Sequence, residues 1–89
     1  MSLEKLREEI DSLDTSLVQL VNERAKISLT ILQEKQRLNL HIYDPQREEQ
    51  VLQKIMQENN GPLSDDQIKS VFKSIIESCR NFQHQQKGI

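Results

Sequence analysis

The chain has 89 residues, with 35% apolar residues, 3% aromatic residues and a net charge of −2. One domain fits that length, its apolar share is low for a globular domain, and its charge offers no global attraction for nucleic acid or an anionic membrane. The single cysteine excludes an intrachain disulfide, and with no apolar run of signal-peptide or membrane-spanning length the expected location is cytoplasmic.

The first predicted element is an unbroken helix from Leu3 to Leu38, a stretch with neither Gly nor Pro. Leu3, Leu6, Ile10, Leu13, Leu17, Leu20, Ile27 and Ile31 recur at helical spacing, as one buried face would require. From Val18 onward the face widens through Val21, Ala25, Leu29 and Leu32, broad enough to meet more than one neighbouring helix. Ser2 is the expected N-cap, and Glu4, Glu8 and Glu9 suit the positive end of the helix. Such a rod is about 54 Å long, whereas a compact globule of this size is about 30 Å across. Either the helix breaks or a second chain covers it. A homodimer with the long helices side by side is expected.

Arg37 to Tyr43 loses the helical period and reads as a loop. Asp44-Pro45 restarts the chain, and a second helix over 45–58 turns Val51, Leu52, Ile55 and Met56 inward. Asn59-Asn60-Gly61-Pro62 ends it, with Gly61 suited to a left-handed cap. Ser64 and Gln67 form a capping box for the third helix, over 65–85, and Leu63 and Ile68 flank the cap as a hydrophobic staple. Ile68, Val71, Phe72, Ile75, Ile76, Cys79 and Phe82 form its buried face; the polar tail from His84 to Ile89 is expected to fray. The fold class is all-α: one domain, residues 1–89, of three helices with a long first one.

Function is carried by polar residues in apolar places. Arg24 and Lys35 lie on the apolar stripe of the first helix, four residues after Leu20 and Ile31, and Arg7 lies at its margin. Arg47 and Glu48 start the inward face of the second helix; Gln83 follows Cys79 by four on the third. Buried charge is costly unless paired, and here the cations outnumber Glu48. A small dianion is the natural missing partner, because the Arg fork binds both oxygens of a carboxylate. Read singly, each residue has a plainer account. Arg24 could pair with Asp14 or Glu23, Arg47 with Glu48, while Lys35, Arg7 and Gln83 could face solvent. Asp44 is a helix cap in any reading, and Cys79 a small buried apolar residue. His41, Tyr43 and His84 have nothing to recommend them as catalysts, and the two histidines and the cysteine lack metal-ligand spacing.

The sequence resembles the all-helical chorismate mutase family over about Leu3 to Gln83. The resemblance rests on Leu6-Arg7-Glu8-Glu9-Ile10-Asp11-Ser12-Leu13-Asp14, Asn22-Glu23-Arg24-Ala25, Lys35, Tyr43-Asp44-Pro45-Gln46-Arg47-Glu48-Glu49, and Ile75-Ile76-Glu77-Ser78-Cys79-Arg80 with Gln83. The turn from Glu58 to Pro62 is similar to forms fused ahead of a 3-deoxy-heptulosonate-phosphate synthase (DAHP synthase), which the resemblance offers as an associated domain or partner. It implies an intertwined homodimer with two shared active sites that rearranges chorismate to prephenate, for phenylalanine and tyrosine, without metal or cofactor. Arg7 would reach into the partner's site and, with Arg24, hold substrate carboxylates. Lys35 and Gln83 would donate to the ether oxygen whose bond to carbon breaks. Glu48 and the backbone near Asp44 would take the ring hydroxyl, with Arg47 a further contact and Cys79 beside the substrate.

Those residue types suit a concerted intramolecular reaction, which needs a folded dianion and donors at the ether oxygen rather than a nucleophile. Two departures stand out. Leu32 occupies a position where the family often has Gly, and Cys79 one where Ser or Ala is common. Two rival readings are an isochorismate pyruvate-lyase on the same fold and a non-catalytic helical dimerisation module. The Asp44, Arg47 and Glu48 set favours the mutase over the first, and the inward cations oppose the second.

Overall fold

The computed structural model describes residues 2–87, so Met1, Gly88 and Ile89, the ends of the expected 1–89 domain, lie outside the described residues. Helix α1 runs over Leu3–Arg37, α2 over Pro45–Glu58 and α3 over Asp65–Lys87. All three predicted helices are present, and the first is unbroken.

The ends of the helices follow from single side chains. The Ser2 hydroxyl accepts from the Lys5 amide at 3.1 Å, with Glu4 in the first turn and Lys35 and Arg37 in the last, each charge matched to the helix dipole. α1 ends at Arg37 with Leu38 as C-cap, and Asn39, with a φ of 57°, reverses the chain. The Asn39 amide then donates to the Gln36 carbonyl and the Leu40 amide to the Lys35 carbonyl, at 3.2 and 2.8 Å, as in a Schellman closure. Asn tolerates this left-handed position better than other side chains bearing a Cβ.

α2 starts as its sequence requires: Pro45 occupies the first turn, and the Asp44 carboxylate accepts from the Arg47 amide at 3.1 Å. After Glu58 the Asn59 side chain organises the turn. It donates to the Leu63 carbonyl and to the Asp65 carboxylate, both at 2.9 Å, and accepts from the Gly61 amide at 3.2 Å. Gly61 has the left-handed φ of +76° expected of it, although the C-cap itself is Asn59. The capping box at α3 forms in both directions: the Ser64 amide donates to Gln67 at 2.9 Å and the Gln67 amide to the Ser64 hydroxyl at 3.1 Å. Of the two staple residues, Leu63 is exposed and Ile68 half-buried. The tail expected to fray from His84 is helical as far as Lys87.

α3 packs against both α1 and α2. The core is small: Leu32, Ile42, Leu52, Ile76 and Cys79. Leu32 is the most buried of them, at 2% exposure. The expected buried face of α1 is not buried within one chain. Leu3, Leu6, Ile10, Leu13, Leu17, Leu20, Ile27 and Ile31 are all exposed. The contacts within the chain use the widened stripe instead, where Ser28 and Leu32 are buried and Val21, Ala25 and Leu29 half-buried. The molecule measures 55 × 28 × 14 Å, and its radius of gyration is 16.1 Å. A compact chain of this length has a radius near 12 Å. The chain is a rod with a two-helix hairpin against one end.

Candidate active site

Where the hairpin meets the C-terminal half of α1, the three helices and the α1–α2 loop enclose a cavity of about 270 Å³. Seven of the eight residues expected from sequence line it: Arg24, Lys35, Asp44, Arg47, Glu48, Cys79 and Gln83. Ile27, Ile31, Val51 and Ile76 supply apolar surface between them. Arg7 is exposed on the projecting half of α1, seventeen residues before Arg24. At about 1.5 Å per residue that is about 25 Å along the axis, too far to reach its own cavity.

Two donors are held the same way. The Lys35 ammonium donates to the Ile42 carbonyl at 2.8 Å, which ties the end of α1 to the loop leading into α2. Two of its three N–H groups remain for other partners. The Gln83 amide donates to the Ser28 carbonyl at 2.7 Å, a bond between α3 and α1. A carbonyl can only accept, so this bond fixes which way the amide faces and leaves one N–H. Ser28 is small enough to let the helices approach, and its hydroxyl is satisfied by the Arg24 carbonyl at 3.0 Å.

The carboxylates are already engaged. Asp44 caps α2. Glu48 accepts from one nitrogen of Arg80, at 2.8 and 2.7 Å to its two oxygens. The Arg80 guanidinium also stacks over the Tyr43 ring, 4.6 Å from its centre. The Glu48 carboxylate raises the Arg80 guanidinium above its already high ordinary value, so Arg80 is charged at any working pH. Among the described residues neither Arg24 nor Arg47 has an ion-pair partner. The pairings of Arg24 with Asp14 or Glu23, and of Arg47 with Glu48, are therefore not formed. Four cations, Arg24, Lys35, Arg47 and Arg80, face two carboxylates around the cavity, an excess of two positive charges.

Arg80 was not singled out from sequence, although the signal was there. It follows Ile76 by four and precedes Gln83 by three, which places it on the inward face of α3. Ser28, four residues after Arg24, was missed in the same way.

Residues 6–84 match the family model for chorismate mutase type II. The chain belongs to that family. Among curated relatives, it is 35% identical over 81 residues to the bifunctional chorismate mutase/prephenate dehydratase of Aquifex aeolicus, and 40% identical over 82 residues to that of Pseudomonas aeruginosa. Each match covers 86% of this chain but 22% of the relative, so the chain spans about a fifth of their length. The solved chorismate mutase of Thermus thermophilus (form II) superposes with a TM-score of 0.91 at 32% identity, covering 94% of this chain and 96% of that one. The Helicobacter pylori chorismate mutase, solved in complex with prephenate, superposes with a TM-score of 0.86 at 34% identity, covering 93% and 90%. The all-helical mutase fold expected from the resemblance is thus the observed fold. The two departures also have a place: Leu32 is the most buried residue of the core, and Cys79, a free buried thiol, lines the central cavity.

Proposed function

We propose that this chain rearranges chorismate to prephenate in its central cavity, in phenylalanine and tyrosine biosynthesis. The observation that carries the reading is the excess of two positive charges around a cavity that also holds two donors tethered by backbone carbonyls. Chorismate is a dianion whose ring carbon and enolpyruvyl carbon must be folded together. Arg24 and Arg47, without ion-pair partners among the described residues, take its carboxylates and hold that fold. As the bond from the ether oxygen to the ring breaks, negative charge grows on that oxygen. Lys35, with two N–H groups left, and Gln83, with one, receive it. One bond from each to the protein backbone holds them in place beforehand, so little reorganisation is needed in the transition state. Glu48 accepts from the ring hydroxyl beside the backbone at Asp44, and Cys79 packs against the substrate. No proton changes hands.

Arg7 completes the site from a second copy of the chain. It cannot reach its own cavity, and the half of α1 that carries it has no cover of its own. A homodimer with shared sites accounts for both facts. The curated relatives join the mutase to a prephenate dehydratase, so an associated activity that consumes prephenate fits them better than the DAHP synthase suggested by the turn at Gly61. The proposed location is cytoplasmic; no helix among the described residues is long and apolar enough to cross a membrane.

The test offers chorismate and isochorismate separately to the purified chain and identifies the products. Prephenate from chorismate is expected. Salicylate and pyruvate from isochorismate, with little prephenate from chorismate, would assign the lyase reaction instead.

A further inference from the structure

We propose that Arg80 is a positioning residue of this site, acting through Glu48: it fixes that carboxylate on the cavity wall and compensates its charge so that a dianion can approach. The proposal rests on the chorismate reading for the identity of the dianion. A carboxylate is an awkward wall for such a ligand, because left alone it repels both ligand carboxylates and is free to rotate. Arg80 answers both difficulties. One of its nitrogens reaches both Glu48 oxygens, at 2.8 and 2.7 Å, across 32 positions of sequence and from a different helix. About half of the carboxylate's acceptor sites are left for a hydroxyl. The Tyr43 ring backs the guanidinium at 4.6 Å and limits its swing.

The placement agrees with this role. Arg80, Glu48 and Ile76 line the central cavity and also a second groove between α2 and α3, where Lys73 and Glu49 lie. The ion pair is therefore part of the partition between the two spaces. Both side chains are 26% exposed, dry enough for the pairing to matter. A contact to the ring hydroxyl is made in substrate and transition state alike, so what Arg80 contributes through Glu48 is uniform binding. Its loss belongs in KM and not in kcat.

The experiment is a double-mutant cycle of Arg80→Met and Glu48→Gln, with Arg80→Lys beside it. It reads kcat and KM for chorismate, the Kd for prephenate by calorimetry, and the thermal midpoint of each variant. Arg80→Met should raise KM and the prephenate Kd about tenfold, between the effects typical of exposed and buried ion pairs, and leave kcat within about threefold. In the Glu48→Gln background, which has no charge to compensate, the same change should cost less than about twofold. Arg80→Lys should recover most of the affinity. An equal loss in both backgrounds would mean that Arg80 touches the ligand itself or serves only the fold. No loss in either would also overturn the proposal. A wild-type chain that binds prephenate yet leaves chorismate unchanged would sink the mutase reading, with Arg80 still judged on the prephenate affinities. A chain that binds neither overturns both.

Discussion

In the proposed mechanism Lys35 and Gln83 perform one task by one device. Each is anchored by a single bond to a backbone carbonyl, at 2.8 and 2.7 Å, which leaves Lys35 two N–H groups and Gln83 one for the proposed substrate. Removing one such donor from a preorganised site costs about 10² to 10³ in turnover. Lys35→Ala should fall in that range by steady-state assay; a variant within a few fold of wild type would remove Lys35 from the mechanism. Gln83 is a neutral amide, whereas a glutamate in its place would need a proton to donate. Arg80, raised further by Glu48, holds its charge far above working pH; whatever the raised value adds to stability is lost only at extreme alkali. The rate should therefore not rise toward acid, and a pH profile climbing steeply below about pH 6 would contradict the role given to Gln83. At this scale the sequence was informative because charge on an apolar stripe is conspicuous. The spacing of Arg80 from Ile76 and Gln83 marks it as inward-facing, but its pairing with Glu48 was not legible, because no local pattern links positions 48 and 80.

The helices were legible wherever a local signal was strong. Ser2, Asp44-Pro45 and the Ser64/Gln67 box each start a helix within one residue of the expected place. Replacing the capping hydroxyl in Ser64→Ala should cost about 1 kcal/mol, read as a lower denaturation midpoint at unchanged slope. A cost near zero would mean that the Asn59 turn alone sets the start of α3. The ends were harder to place. Helix one was expected to reach Leu38 and stops at Arg37, because the left-handed turn at Asn39 gives no periodic signal. Helix three was expected to end at residue 85 and continues to Lys87, since a polar run such as His84-Gln85-Gln86 can remain helical without an apolar face. The apolar face of α1 is exposed in the single chain, as a rod too long for one globule requires. Periodicity reports that a face is apolar, but not which chain covers it.

At the scale of the whole molecule, Leu3, Leu6, Ile10, Leu13, Leu17, Val18 and Leu20 are each between 39% and 62% exposed. Covering the exposed part of each is worth about 1 kcal/mol, or about 7 kcal/mol for the seven. That is comparable to the entire stability of a small domain. The shape, the bare stripe and the distance from Arg7 to its own cavity are one observation seen three ways, and the proposed dimer with shared sites would account for all of them. The most direct test of a chorismate site built from two copies is turnover by a co-refolded mixture of Arg7→Ala and Arg24→Ala chains, measured against wild type and against each variant alone. Each variant alone should be nearly inactive. In the mixture about half of the dimers are mixed, and one of the two sites in each carries neither lesion, so conversion to prephenate should return to about one quarter of the wild-type rate. A mixture as inactive as its components, beside an active wild type, would contradict the shared site.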